Sequence, residues 1–500
     1  MLSFNKIVMK KIIYILMVAA LVFSACDNGF EELNVNPTKP VQVDVKNKLT
    51  SAQKDLSSQR YDNWRANLIY QSTMMQHFAT TAGYWAGDKY TRNEGYASSL
   101  IDRYFEGVIK TVEDMLVQLE AEEGPAEMKA ITRIMRVAAY ARVTDLYGDI
   151  PYSEAGQAYI SGFLKPKYDA QSDIYADMLK ELEESAADLG SGVSGFGAAD
   201  VIYDGDLAKW KKLANSLMLR LGFRLIKVDA AASQAWVTKA ISGGVMTSND
   251  DIFRMIHSTD NRNGNGETFS ADSNPRMSNT FIAFLQGDPR LPILAARRSD
   301  GSTDPADLIG LPNGLDAALL LDSTGESDTE NYAEPNRSII TSNEAPMFFQ
   351  TYAEVEFMLA EAAERWGLSG GDPEPHYNAG VRAAMKMLEM YGSGGAIADG
   401  DIDAYLLASP FDPANALEQI GNQYWVATFL NEYETFSNWR RTGYPVLVPV
   451  NYAGNVTNGT IPRRLTYSTS EQDNNAENYA EAISRQGPDE FTTRVWWDAN

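Results

Sequence analysis

Apolar residues recur at helical spacing along most of this chain, and that periodicity restricts the fold more than any other feature. The pattern runs over about residues 46–242 and resumes over about residues 351–440. In a chain of 500 residues it predicts an all-α scaffold with a large apolar core. We expect helices over residues 46–80, 98–122, 125–147, 170–189, 206–228, 233–242, 278–286, 351–366, 374–391, 401–408 and 414–431.

The clearest pair of helices spans residues 353–390. Small residues, among them Ala360, Gly380 and Ala384, recur there at helical spacing, and a Gly-rich turn separates the two helices. The pair is typical of a tetratricopeptide-type helix hairpin. A generic helical bundle would show the same pattern, so both architectures stay open at this point.

A loop-rich insert, about residues 243–345, interrupts the helical pattern with Gly, Asn, Asp, Ser and Pro. Long irregular segments inside a folded chain are usually functional loops. The tail after residue 444 also predicts irregular structure. We therefore expect one domain over residues 46–500, in which the insert supplies binding loops.

The first 25 residues have the layout of a lipoprotein signal peptide. Lys6, Lys10 and Lys11 precede an apolar run over residues 12–25, which is shorter than the roughly 20 residues a membrane span needs. Cys26, the only cysteine, follows directly, and residues 22–26 (VFSAC) resemble a lipobox. We predict lipidation of Cys26 and a lipidated tether over residues 26–45. An ordinary leader and a start at residue 9 are the alternatives.

The charge balance limits the partners of the chain. The formal net charge is −24, whereas nucleic acids and anionic membrane surfaces attract basic faces. We therefore expect no nucleic-acid partner. The 25 tyrosines and 9 tryptophans are compatible with carbohydrate or peptide recognition.

Signatures of catalysis are weak. His77, His257 and His376 lack metal-binding spacing, and no phosphate-binding loop is present. Residues 367–371 (GLSGG) match a nucleophile motif but follow a predicted helix, so we predict that Gly367 is a helix C-cap. Residues 399–403 (DGDID) fit the start of a helix better than a calcium loop. We expect no catalytic residue, no cofactor and no metal, although paired carboxylates of a glycoside hydrolase remain an alternative.

Seven segments in order along the chain carry a family resemblance. They are residues 140–155 (YARVTDLYGDIPYSEA), 210–224 (WKKLANSLMLRLGFR), 288–291 (DPRL), 360–362 (AEA), 439–445 (WRRTGYP), 462–467 (PRRLTY) and 496–498 (WWD). Together they resemble the SusD/RagB family, in its SusD-like branch of surface lipoproteins from Bacteroidetes. Asp145, Arg142, Arg440 and Arg441 in these motifs are expected to form buried or interface ion pairs and not ligand contacts, and Trp496 and Trp497 to pack the tail on the scaffold.

The resemblance implies a fold and a function. The fold would be a SusD-like scaffold of four tetratricopeptide-like hairpins with long loops on the binding face. The protein would be anchored in the outer membrane, facing the cell exterior. It would capture oligosaccharides, or in some members peptides, and pass them to a SusC-like TonB-dependent transporter. It would not be an enzyme.

Candidate ligand residues follow from the chemistry of sugar recognition, which uses flat aromatic surface beside planar polar groups. The first candidate is the loop over residues 84–93, the second the insert segment 262–276, and the third Tyr332. The predicted ligand-binding residues are Tyr84, Trp85, Asp88, Tyr90, Asn93, Arg262, Asn265, Phe269, Asn274 and Tyr332.

Overall fold

The structure is a computed structural model that describes residues 8–11, 43–57 and 59–499. Residues 8–11 are helical, whereas the rest of the predicted leader, Cys26 and most of the predicted tether lie outside the described residues. The chain divides into two units, Met1–Asp44 and Val45–Asn500. In the ranges that the structure describes, no helix is long and apolar enough to cross a membrane.

Helices dominate the second unit. The longer ones are α1 (Val45–Leu56), the π-helical α2 (Asn63–Ser72), α3 (Lys110–Ala121), α4 (Ala126–Tyr147), α5 (Gln171–Asp188), α6 (Leu207–Arg224), α7 (Ala230–Gly243), α8 (Tyr352–Trp366), α9 (Pro373–Met387), α10 (Asp399–Ala408), α11 (Ala416–Ala427), α12 (Glu432–Thr442) and α13 (Ala476–Gln486). Shorter helices include Arg60–Asp62, Glu94–Ala97, Ser99–Tyr104, Gly264–Ala271, Asn279–Phe284, Ala317–Thr324 and Thr469–Asn474.

Consecutive helices pack against each other as hairpins. α3 packs on α4, α4 on α5, α5 on α6 and α6 on α7, and α8 pairs with α9. The second helical stretch returns to the first, because α8 also contacts α6 and α12 contacts α2. The predicted all-α hairpin scaffold is therefore confirmed.

The α8–α9 hairpin shows why its sequence favours this packing. Thr351 and Glu354 form a reciprocal capping box at the start of α8. Gly367 ends α8 with a φ of 65°, which confirms that it is a helix C-cap. At Gly380 a Cβ atom would lie 2.6 Å from the Phe357 ring, so only glycine allows this close approach of the two helices.

The loop-rich insert is more ordered than its composition predicts. Its short strands pair antiparallel with one another or with distant segments: Phe78–Ala79 with Arg276–Met277, Phe253–Met255 with Met347–Gln350, and Ala295–Arg297 with Ala333–Pro335. Outside the insert, Ile150–Pro151 pairs with Tyr168–Asp169. The expectation of an irregular tail is wrong at α13 and at Thr469–Asn474, both of which are helical.

The family motifs meet in the core, where buried charges compensate each other. Arg224 on α6 lies 3.3 Å from Asp145 and 2.7 Å from Glu434. The indole of Trp497 donates to Asp145 at 3.0 Å, which confirms that the tail packs on the scaffold.

The arginines of the motifs differ from one another. Arg441 binds the Glu361 carboxylate with both terminal nitrogens, at 2.6 and 2.7 Å, as expected for a buried ion pair. Arg440 instead donates to the Asp145 carbonyl at 2.6 Å, and Arg142 donates to the hydroxyl of Tyr104 at 3.1 Å. The expectation of ion pairs is therefore wrong for Arg142 and Arg440, whose neighbours offer neutral acceptors.

Candidate functional site

Two aromatic side chains lie one helical turn apart where the helix Arg60–Asp62 runs into α2. Tyr61 is 52% exposed and Trp64 is half-buried, and their ring centroids lie 6.2 Å apart. The guanidinium of Arg60 lies 5.2 Å from the Tyr61 ring centroid and 5.7 Å from that of Trp64. Such cation–π contacts hold the rings in place while leaving part of each ring open.

Tyr84 extends this surface from the neighbouring loop. It is 38% exposed, and its ring lies 6.0 Å from that of Trp64 in an edge-to-face arrangement. The side-chain amide of Asn274, which is exposed, donates to the Tyr84 hydroxyl at 2.8 Å. We call Tyr61, Trp64, Tyr84 and Asn274 the aromatic face.

A single buried carboxylate fixes three members of the aromatic face. Oδ2 of Asp272 accepts hydrogen bonds from Trp64 Nε1 at 3.1 Å, Tyr84 OH at 2.7 Å and Trp85 Nε1 at 3.0 Å. Oδ1 accepts from the backbone N–H and the side-chain amide of Asn274 at 2.9 and 2.8 Å.

The charge of Asp272 is compensated by these donors. The residue is 5% exposed, and among the described residues no cationic side chain lies within 4.0 Å of its carboxylate. A buried carboxylate needs such hydrogen bonds, since an unpaired one is costly to desolvate. Burial and then the bond to Asp272 raise the pKa of Tyr84 to about 12, so its hydroxyl stays a donor at neutral pH.

A cleft of about 630 Å³ opens beside Tyr61 and Arg60. Its other walls include Lys54, Asp260 and Arg262. Arg262, a predicted ligand residue, is exposed here and lies 3.9 Å from Glu267. The cleft is thus polar and charged, in contrast to the aromatic face beside it.

Of the predicted ligand residues, Tyr84 and Asn274 belong to the aromatic face and Arg262 lines the adjacent cleft. The structure places most of the others inside the protein. Trp85 is 0% exposed, so its ring cannot stack on a ligand and instead anchors the loop in the core. Phe269 packs against Phe78, and Tyr332 lies in a small apolar cluster with Leu311 and Leu320.

The polar members of the prediction have structural partners. Asp88 is fully buried and accepts hydrogen bonds from Asn313 and Gly314. Tyr90 is buried, and its hydroxyl accepts from the backbone of Val450. The two remaining predicted residues, Asn265 and Asn93, also have structural partners. Asn265 is buried; its Oδ1 accepts from the side chain of Asn67, and its Nδ2 donates to the Leu430 carbonyl. The Asn93 side chain caps the helix Glu94–Ala97 by accepting from the backbone N–H of Tyr96.

Sequence reasoning missed Tyr61, Trp64, Arg60 and Asp272. Trp64 follows the helical apolar pattern, which predicts a residue of the core. The pattern does not show which part of a helix face stays open to solvent, so it could not identify Trp64 as partly exposed. Asp272 lies inside the predicted segment 262–276, but its role depends on indoles that are distant in sequence. The run of Arg60 and Tyr61 directly before Trp64 is the signal that could have pointed to this face.

The aromatic face combines open ring surface with hydrogen-bonding groups at its edges. Aromatic rings pack on the C–H faces of apolar or sugar rings, and planar amides and phenols bond neighbouring hydroxyl groups. The arrangement therefore defines a helical-hairpin scaffold with a candidate ligand surface at the junction of one helix, one loop and one segment of the insert.

Comparison with known proteins gives the family. The SusD-like model, described as "Starch-binding associating with outer membrane", matches residues 37–468, and the chain belongs to this family. No curated protein matches the chain.

Solved structures share the fold. One, a chitin-binding protein, is 34% identical with a TM-score of 0.83, covering 91% of this chain and 100% of that one. A SusD homolog from Bacteroides uniformis is 27% identical with a TM-score of 0.74, covering 91% and 99%. A chitin-binding SusD homolog from Flavobacterium johnsoniae is 24% identical with a TM-score of 0.78, also covering 91% and 99%.

Proposed function

We propose that this protein binds oligosaccharides on its aromatic face without cleaving them. The observation that carries the proposal is the set of partly exposed rings of Tyr61, Trp64 and Tyr84, of which Trp64 and Tyr84 are fixed by the Asp272 carboxylate. The family description and the printed name of the 34% identical relative support a carbohydrate ligand. We propose chitin-type oligosaccharides as the first ligands to test.

We further propose that Cys26 carries a lipid and that the protein serves a TonB-dependent transporter of the SusC type in the outer membrane. The family's association with the outer membrane supports this location. Metabolic labelling with an alkyne palmitate analogue should mark the wild type and not Cys26→Ala. Co-purification with a TonB-dependent transporter from solubilised outer membranes tests the partner. If no transporter co-purifies at near-native expression, the proposed transfer of ligand to a transporter is contradicted.

Calorimetric titration with N-acetylglucosamine and maltose-type hexamers tests the binding proposal. Trp64→Ala should lose binding at least tenfold, because it removes the central ring of the face. Trp236→Ala is the matched control: Trp236 is also half-buried, but it lies on α7 under Lys239, whose ammonium is 4.2 Å from its ring. Equal loss in both variants would contradict a role for the face.

The two alternatives predict different results in the same assay. A peptide-binding protein would bind peptides and leave both hexamers unbound, with the charged cleft beside Arg262 as the favoured site. A glycoside hydrolase would release reducing ends from the hexamers during a long incubation. Intact hexamers recovered after binding support the proposal.

A further inference from the structure

A second groove lies outside the aromatic face, between the helix Asn279–Phe284, the loop around Asn313 and the segment Val448–Ala453. Its volume is about 630 Å³, the same as that of the charged cleft beside Tyr61. None of the described residues that line it carries a charge. In a chain with a net charge of −24, an opening of this size with an uncharged lining calls for a physical explanation.

The floor of the groove rests on a buried ion pair. Asp88 is 0% exposed, and its carboxylate accepts from Asn313 Nδ2 at 2.6 Å and from the backbone N–H of Gly314 at 3.1 Å. Lys89 Nζ lies 3.2 Å from the same carboxylate. These charges neutralise each other beneath the surface, so they position the floor without charging the groove.

The two walls are tied together around this floor. A Cβ atom on Gly314, whose φ is 81°, would lie 2.2 Å from Val450, so glycine permits the contact. The Gln76 side chain donates to the Val448 carbonyl at 2.5 Å and accepts from Thr280 at 2.8 Å. The groove is therefore preformed, and a ligand would not need to order its walls.

The groove presents polar groups that the protein itself leaves unused. Among the described residues, the side chain of Asn279 has no hydrogen-bond partner, and the Nδ2 of Asn451 has none. Tyr452 adds a half-buried ring, which its hydroxyl fixes by donating to Asp316 at 3.0 Å. The Asn279 amide and the Asn451 Nδ2, together with the fixed ring and the apolar side chains of Leu319 and Val448, suit a ligand with hydroxyl or amide groups and no charge.

We propose that this groove is a second binding site for an uncharged oligosaccharide, separate from the aromatic face. The proposal rests on the proposed function, since it assumes that the ligand is a neutral sugar chain. The uncharged lining favours neutral hexoses or N-acetylhexosamines over uronic acids, because a carboxylate would lose its hydration without gaining a cation.

Titration of the full-length protein with the N-acetylglucosamine hexamer, followed by calorimetry, tests the proposal. The wild type should show two sites. The double variant Asn279→Ala/Asn451→Ala should lose the groove site by roughly tenfold or more, which is about 1.4 kcal/mol, and keep the site that Trp64→Ala removes. Asn474→Ala, an exposed asparagine outside the groove, is the matched control.

The outcomes separate this proposal from the function. One site that is lost in Trp64→Ala and unchanged in the double variant overturns the second site and keeps the proposed function. No binding of any neutral hexamer by the wild type overturns both. A galacturonic acid hexamer that binds the groove as tightly as the neutral hexamer overturns the stated ligand class. Thermal melting should be nearly the same in the double variant and the wild type, because the only hydrogen bond that the two side chains make among the described residues is the exposed one from Asn455 to Asn451.

Discussion

The phenol of Tyr84 donates a hydrogen bond of 2.7 Å to the Asp272 carboxylate, which two tryptophan indoles also bind. The carboxylate thereby joins one exposed ring, one half-buried ring and one buried ring into a single unit. Trp85 secures this unit to the core, while Trp64 and Tyr84 present it to solvent. The geometry of the aromatic face is therefore set from beneath by a residue that no ligand needs to touch.

Replacing Asp272 with asparagine should weaken both the fold and the ligand site. The amide keeps one acceptor oxygen and turns an N–H group towards donors, so at least two of the five donors lose their partner. Each such loss costs about 1–3 kcal/mol, and we expect the free energy of unfolding in urea to fall by about 3 kcal/mol. Hexamer affinity at a temperature where the variant is folded should fall roughly tenfold, or about 1.4 kcal/mol.

Asp322→Asn is the control for that experiment, because Asp322 is exposed and outside the aromatic face. It should change neither stability nor affinity. If Asp272→Asn loses stability but binds the hexamer like the wild type, the carboxylate supports the core only and does not position the rings.

Residues 84–93 show how far sequence could identify the site. Three aromatics with Gly, Asp and Asn predicted a ligand-binding loop there, but composition does not reveal which ring faces inward. The packing at Gly87 determines the orientation of the rings. A Cβ atom added there would lie 2.3 Å from the Ile69 carbonyl, so glycine lets the loop pack tightly on α2. That contact buries Trp85, Asp88 and Tyr90 and leaves Tyr84 at the rim.

Trp85→Ala and Trp64→Ala should separate stability from binding. Trp85 is 0% exposed, so its loss leaves a cavity and costs about 3–5 kcal/mol of unfolding free energy. Trp64 is half-buried, and its removal should cost less stability while lowering hexamer affinity at least tenfold. Chemical denaturation and calorimetry on the same preparations measure both quantities. A Trp85→Ala variant with wild-type stability would contradict its place in the core.

The scaffold was easier to predict than the site, for a physical reason. Helix hairpins follow from local apolar periodicity and from close-packing residues such as Gly380, which are visible in sequence. The insert instead gains order from pairing with remote segments, as Arg276–Met277 does with Phe78–Ala79. α13 was missed because its apolar face is narrow, and among its residues Ala482 is buried.

Ligand binding at the aromatic face should be insensitive to the ionisation of Tyr84 up to about pH 10. Burial and the bond to Asp272 raise the pKa of its phenol from 10.0 to about 12, so the folded state favours the protonated donor. The resulting stabilisation is fully present below the unfolded pKa near pH 10 and is lost as the pH rises through about 12. Hexamer affinity measured from pH 7 to 10 should be constant, and a fall centred near pH 9 would contradict this assignment.

The buried pair of Glu361 and Arg441 should make stability depend on acid pH. Although burial alone would raise the pKa of Glu361, Arg441 and then Arg365 lower it from 4.5 to about 2. The pair thus contributes about 3 kcal/mol that is present above pH 4.5 and is lost as the pH falls through about 2. Glu361→Gln should be less stable than the wild type at pH 7 by at least this amount, since it leaves a buried arginine unpaired. The difference should shrink between pH 4.5 and 2 in urea unfolding.

Asp403→Asn, which removes an exposed partner of Arg382, is the control and should change stability by less than about 1 kcal/mol at either pH. The prediction fails if the stability difference between the wild type and Glu361→Gln is the same at pH 7 and pH 3 and no larger than that of the control. The pair would then not hold α8 to α12.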